Sequence, residues 1–237
     1  MAIKRQSRKK KKKKRSGPLV FLSKVALYFV LFSIAWVLLY RFVNPPVTWL
    51  MIQRNFENSA HSEPKTARKW VKYDDLSANM KKAVVASEDA HFTSHAGFDT
   101  QAINEAYRKN KSGNTLRGGS TISQQTAKNV FLWPQRSWVR KGFEAWFTML
   151  IEAFWGKKRI LEVYLNVIET GPHLYGVNAA TQHYFNKPAV SLTKRQAALV
   201  ATVLPNPRRW TPDKPTAYIN RKARTIVRYM NYSKIPE

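Results

Sequence analysis

The sequence predicts a mainly α-helical protein, with a single N-terminal transmembrane helix followed by one helical domain. Three observations carry this. From Leu19 to Tyr40 only Ser23, Lys24 and Ser33 are strongly non-apolar, about the ~20 residues a helix needs to cross a hydrocarbon core. Beyond Trp70, apolar residues recur at three- and four-residue spacing between capping and breaking residues. Convincing alternating strand patterns and internal repeats are absent.

Residues 1–17 read as a basic cytoplasmic tail. Lys4 to Arg15 carries ten basic residues and no acidic one, which sets orientation through the positive-inside rule and puts the N-terminus in the cytoplasm. A nucleic-acid tail is the competing reading of any lysine run, but beside a spanning helix anionic lipid is the better-matched partner. Residues 18–43 form the transmembrane helix, with Lys24 near one end where it can snorkel and Tyr40-Arg41 as interfacial anchors. A cleaved signal peptide would have a shorter apolar run and a small-residue site at its end.

Residues 44–69 read as a linker and entry segment, marked by Pro45-Pro46 and Pro64 with little periodicity. Residues 70–237 form the exported domain. Of the formal charge of +27, about fifteen positive charges fall on the exported part, enough to concentrate lipid headgroups, phosphorylated lipids or anionic polymers. The chain has no cysteine, which excludes a disulfide framework, thiol catalysis and cysteine metal sites.

Within the domain, helices are expected over Asp99–Lys109, from the Thr121/Gln124 capping-box spacing onward, over Trp138–Trp155, over Lys157–Ile168 closed by Gly171-Pro172, after a Ser191 cap, and over Ala217–Tyr229. A hairpin fits near Leu174–Val177. The aromatic stripe Trp133, Trp138, Phe143, Trp146, Phe147 and Phe154 reads either as core or as a membrane-dipping face, since Trp favours interfaces.

Four segments carry chemistry. Glu88 to Gly97 packs two carboxylates and two imidazoles into eight residues in an acid-poor domain. Glu88 there is a candidate acid or base tuned by burial and basic neighbours. A metal reading through His91 and His95, four apart on one helix face, lacks a clear third ligand and the HExxH order. Gly118 to Gln125 offers backbone N–H groups and hydroxyls at a helix start, suited to a phosphate or a sugar hydroxyl, with Lys128 two turns in. Arg140, Lys141 and Glu144 share a helix face, either a surface ion-pair cluster or a second carboxylate flanked by cations for an anionic leaving group. Lys157 to Asn166 is amphipathic, and its Glu162 reads as structural.

Together and in this order the segments resemble the peptidoglycan glycosyltransferase (transglycosylase) family in its short monofunctional form, which shares the glycosyltransferase domain of bifunctional penicillin-binding proteins. EDxxFxxHxG stands at Glu88–Gly97, GGSTxTQQ at Gly118–Gln125 with Ser123 for a threonine, RKxxE at Arg140–Glu144 and KxxILExYLN at Lys157–Asn166. The resemblance spans residues 70–229.

It implies a lysozyme-like, two-lobed α-helical catalytic domain with a mobile membrane-facing lobe. It also implies an enzyme that polymerises lipid II into glycan strands by inverting glycosyl transfer, releasing undecaprenyl diphosphate. Glu88 would be the general base and Glu144 the second catalytic-site carboxylate. Lys128, Arg140 and Lys141 would stabilise the diphosphate, Asp89, Phe92 and His95 would shape the acceptor pocket, and Ser120, Thr121, Gln124 and Gln125 would line the cleft. No tightly bound cofactor or protein metal site is implied, although Mg²⁺ or Mn²⁺ would support activity. The implied partners are lipid II, the growing glycan chain, membrane lipids and proteins of a cell-wall synthesis or division complex, with no nucleic acid. The implied location is a bacterial inner membrane with the catalytic domain periplasmic.

Transpeptidase activity is not expected. The SxxK, SxN and KTG look-alikes at Ser191–Lys194, Ser112–Asn114 and Lys111–Gly113 overlap or fall out of order. The rival is a lysozyme-like or lytic enzyme, whose single glutamate acts as an acid on an uncharged oxygen and needs no cation cluster.

Overall fold

The computed structural model describes residues 17–59, 67–111 and 119–237. The basic tail, Gly118 and the Ser112–Asn114 look-alike lie outside them. The chain divides into two compact units, Met1–Trp36 and Val37–Glu237.

Residues 18–36 of the first unit are helix. They belong to α1 (Pro18–Phe42), which is long and apolar enough to cross a membrane. Leu19, Phe21, Leu22 and Phe32 are exposed on it; a helix apolar all round suits lipid rather than water. Its two serines spend their hydroxyls on backbone carbonyls one turn back, Ser23 on Val20 and Ser33 on Val30.

The second unit begins with the last residues of α1. The Trp155 indole donates to Val37 O at 2.7 Å, and the Arg159 guanidinium donates to Tyr40 O, Val43 O and Asn44 Oδ1. The Tyr40 carbonyl, which the end of α1 leaves orphaned, is thereby satisfied. The segment read as a linker is not structureless: α2 (Trp49–Ser59) forms there, its first turn capped by the Thr48 hydroxyl, which accepts from Met51 N. Two flanking proline sites concealed one short helix.

Then follow α3 (Ala78–Glu88), α4 (Thr100–Lys111), α5 (Ile122–Phe131), α6 (Trp138–Phe154) and α7 (Gly156–Val167). After them come a hairpin of β1 (Glu169–Gly171) and β2 (Leu174–Tyr175), α8 (Val177–Phe185), α9 (Lys194–Val203) and α10 (Ala217–Tyr229). The hairpin is antiparallel with Glu169 opposite Tyr175, and Ala67 bridges Leu174 in parallel.

Two expected boundaries shift. The N-cap of α9 is Thr193, in a capping box with Gln196, while Ser191 ends a 3₁₀ turn. α7 stops where Ile168 turns extended, and Gly171-Pro172 belongs to the hairpin. Glycine is required at 176, where φ is +76° and an added Cβ would lie 2.8 Å from Asn166 O.

The core has two groups of helices. α5, α6 and α7 pack together, as do α3, α9 and α10, with α8 touching both α7 and α9. Ile160, Leu161, Val163, Tyr164 and Leu165 of α7 are fully buried. Phe131 of α5 stacks on Phe147 of α6 at 4.6 Å between centroids, so at least Phe147 of the aromatic stripe is core. Glu162 is structural as read: it accepts from Tyr73 N and from Arg159. Asn166 exchanges two 2.8 Å hydrogen bonds with the backbone of Val71.

Candidate functional site

The site grows from the end of α3. Its last helical residue is Glu88, and Asp89 leaves helical geometry at φ −161°, ψ 78°. The 89–98 segment is a series of turns, so His91 and His95 do not share a helix face. They go to different carboxylates: His91 Nδ1 to Asp99 Oδ2 and His95 Nε2 to Asp89 Oδ1, both 2.8 Å. Because His95 Nδ1 accepts from Gly97 N at 3.1 Å, its Nε2 carries the proton and donates to Asp89.

The other oxygen of Asp89 accepts from Ile122 N at 2.9 Å. A carboxylate is thus fixed on the first turn of α5, where orphan N–H groups and the helix dipole favour it. Thr121 and Gln124 complete that start as a capping box, and the Thr121 hydroxyl donates to Gly97 O at 2.6 Å. Gly97 has φ +91°, and a Cβ there would meet Thr148 Cγ2 at 2.7 Å. The first two motifs therefore form one buckle that joins α3, α5 and α6.

This placement revises the role expected of several residues. Phe92 is fully buried beneath the Lys157 ammonium, 4.6 Å from its ring centroid. Asp89, Thr121 and Gln124 are buried and committed to the α5 start. Thr121 and Gln124 thus stand behind the cleft, and Asp89 with His95 acts on it through the start of α5. Ser123 is also buried, its hydroxyl donating to Glu152, so this position uses a hydroxyl.

The cleft, of about 600 Å³, is lined by Ser120, Gln125, Lys128, Arg140, Lys141 and Glu144 among others. Gln125 Nε2 donates to Glu88 Oε2 at 3.0 Å, and Gln125 Oε1 accepts from the buried Tyr164 hydroxyl at 3.2 Å. Burial pushes the Glu88 carboxyl above the usual glutamate range, against the pull of the Gln125 and Ser87 hydrogen bonds and the Lys222 and Lys128 charges. Such a carboxylate is a stronger base than one in water.

Ser137 caps α6 through Arg140 N, which starts the helix so that its third motif faces α5. Glu144 is buried. Its two oxygens are taken by Arg140 Nη1 at 3.0 Å and Lys141 Nζ at 2.5 Å. The surface-cluster reading of this trio is thereby excluded. Arg136 and Lys128 add two more cations to the same wall, so it carries four positive groups against one carboxylate. Burial pushes the Lys128 ammonium down; Glu144 pulls it back up, while Arg140, Arg136 and Lys141 push it further down. The Arg140 Nε–H is buried with no hydrogen-bond partner among the described residues. An excess of three charges with an unused donor is built to receive an anion.

A protein-built metal centre does not fit this donor set. Both Glu144 oxygens are occupied by cations, and no group of three or more metal-ligating side chains is assembled among the described residues.

Sequence reasoning missed Tyr164, although it stands in the fourth motif, because only its burial under Gln125 reveals its use. Arg136, Lys222 and the cleft residues Arg54, Glu169 and Arg208 carried no motif signal.

Comparison with known proteins gives the family. The model of the transglycosylase family matches residues 56–231. The chain is 50% identical over 204 residues to the biosynthetic peptidoglycan transglycosylase of Caulobacter vibrioides, covering 85% of this chain and 87% of the relative. It is 49% identical over 213 residues to that of Stutzerimonas stutzeri, covering 90% and 88%. It is 50% identical over 208 residues to that of Bdellovibrio bacteriovorus, covering 87% and 83%.

Proposed function

The chain belongs to the transglycosylase family, and from that premise we propose that it polymerises lipid II into peptidoglycan glycan strands. The observation that carries this is a desolvated carboxylate, Glu88, held by the cleft-lining Gln125, beside a wall of surplus cations in that cleft. Glu88 removes the proton from the acceptor sugar's 4-hydroxyl. The resulting oxygen attacks the anomeric carbon of the growing chain from the face opposite the diphosphate. The C1–O bond to the diphosphate breaks with inversion, and the electron pair leaves on undecaprenyl diphosphate.

That leaving group departs as an anion and needs countercharge more than a proton. Lys128, Arg140 and Lys141 supply it, with Arg136 beside them. Glu144 holds Arg140 and Lys141 in place, and Gln125 sets the Glu88 carboxylate. Asp89, Phe92, His95, Thr121 and Gln124 are positioning residues that fix the start of α5 behind the cleft. Ser120, exposed at its rim, meets substrate. A divalent ion such as Mg²⁺ would arrive with the diphosphate, since the side chains do not form a cage for it.

A lytic enzyme would also use a raised-pKa glutamate, but as an acid on an uncharged oxygen. Four cations around a buried carboxylate have no role in that reaction. Incubation with purified lipid II and, separately, with finished glycan decides between them. Polymer from the first supports polymerisation; fragments from the second without polymer overturn it.

We further infer the topology. The ten basic residues before α1 keep the N-terminus cytoplasmic, so the catalytic unit is extracytoplasmic, where peptidoglycan is made. α6 meets the membrane on its outward side. Trp138 is 92% exposed there, with Val139 and Met149 also exposed. All substrate resides in the bilayer, so a membrane-bound cleft searches in two dimensions.

A further inference from the structure

One end of the cleft is built from parts that no motif contains. Arg54 comes from α2, Glu169 from β1, and Asn206 and Arg208 from the loop after α9. Arg54 Nη1 pairs with Glu57 at 2.6 Å, but its Nε stands 3.6 Å from Glu169 Oε1, too far for a hydrogen bond. Arg54 Nε, Glu169 Oε1 and the hydroxyl of Tyr175, which faces Glu169 across the hairpin, are all buried without a hydrogen-bond partner among the described residues.

A donor, an acceptor and a hydroxyl left unmade together are each destabilising. A cluster of this kind is completed by something that both gives and takes hydrogen bonds. Its charge says what. Arg54 and Arg208 line this end with Glu169, and Arg54 is already paired with Glu57, a balance of zero apart from the nearby His173 imidazole, whereas the Lys128–Glu144 wall carries an excess of three. The cleft is therefore electrically polarised, with one end suited to an anion and the other to an uncharged polar group.

We propose that Arg54 and Glu169 form a saccharide-recognition station that hydrogen-bonds hydroxyl or N-acetyl groups of the lipid-linked substrate. This rests on the polymerase reading above and adds to it which end of the cleft takes which part of the substrate. The carboxylate accepts from pyranose hydroxyls, and the guanidinium donates to hydroxyl or acetamido oxygens. Because Arg54 lies on α2, the helix that follows the membrane anchor is part of the substrate site and not a tether.

The test measures binding of two ligands to the full-length protein in detergent: lipid II, and undecaprenyl diphosphate, which lacks the sugars. Glu169→Gln preserves shape and Arg54→Ala removes the donor; Lys128→Ala serves as the control at the anionic end. Each station variant is expected to weaken lipid II binding about tenfold, the loss of one charge-assisted hydrogen bond, and to leave undecaprenyl diphosphate binding unchanged. Lys128→Ala is expected to weaken both ligands. Equal weakening of both ligands by Glu169→Gln, or no change in either, would overturn the station. Failure of the unaltered protein to make polymer from lipid II counts against the polymerase reading instead.

Discussion

The buried Tyr164 hydroxyl donates to Gln125 Oε1 at 3.2 Å, and this fixes which end of the Gln125 amide meets Glu88. An amide whose oxygen is engaged presents its nitrogen on the other side, so Glu88 receives a donor and not a second acceptor. A fully buried tyrosine thereby acts on the reacting carboxylate through one intermediary.

Tyr164→Phe keeps the ring and removes that donor. Loss of one neutral hydrogen bond, about 1 kcal/mol, predicts a roughly fivefold fall in kcat. The Gln125 hydrogen bond holds the Glu88 pKa down, so freeing the amide lets that pKa rise. The acid limb of the kcat profile should move to higher pH. A lower rate with an unmoved acid limb would reduce Tyr164 to packing.

Glu88→Gln should abolish polymer while stabilising the fold near neutrality. Burial raises the Glu88 pKa in the folded state above its unfolded value. A carboxyl shifted that way favours folding when protonated, and the advantage is lost as pH rises from the unfolded to the folded pKa. The ionised form therefore costs stability at pH 7 and not below the ordinary glutamate value of about 4.3. Thermal unfolding should show Glu88→Gln melting higher than the unaltered protein at pH 7, with that gain gone near pH 3.5. For the unaltered enzyme, polymerisation should rise through an acid limb above the ordinary glutamate value. An equal or lower melting temperature for the variant at pH 7 contradicts the desolvation argument.

Arg140 and Lys141 should separate stability from rate. Arg140 is buried against Glu144, whereas the Lys141 side chain is 44% exposed. Breaking a buried pair costs about 3–5 kcal/mol, and an exposed cation typically under 1 kcal/mol. Arg140→Ala should lower both denaturant midpoint and activity. Lys141→Ala should lose at least tenfold in kcat with a nearly unchanged midpoint, because its contribution is to the charge developing on the leaving group. Chemical denaturation beside polymerisation rates would check both.

Much of this was legible because local rules and tertiary structure agree. Thr121 and Gln124 sit at capping-box spacing and form the box; Arg140, Lys141 and Glu144 share a helix face and pair on it. The failures have physical causes. Periodicity cannot show that Asp89 reaches across 33 residues to Ile122 N, so its hold on the start of α5 was not legible. Thr193 and Ser191 are both good caps, and only the backbone tells them apart. Arg54 and Glu169 are 115 positions apart, and only the packing of α2 beside the hairpin brings their charges together.

The exposed side of α6 yields the last prediction. Trp138, Val139 and Met149 are exposed, while Phe147 on the same helix is core; a large exposed apolar strip on a folded unit marks an interaction surface. The chain has no cysteine, so Trp138→Cys in the full-length protein accepts a single environment-sensitive fluorophore without further changes. Lys187→Cys, at an exposed polar position, is the reference. Reconstituted in phospholipid vesicles, the label at 138 should emit further to the blue than in detergent-free aqueous reference peptide and be quenched by brominated lipid, while the label at 187 stays water-like. Brominated lipid reports only groups within its reach, so equal, weak quenching at both sites would assign the strip to a protein partner instead of the bilayer.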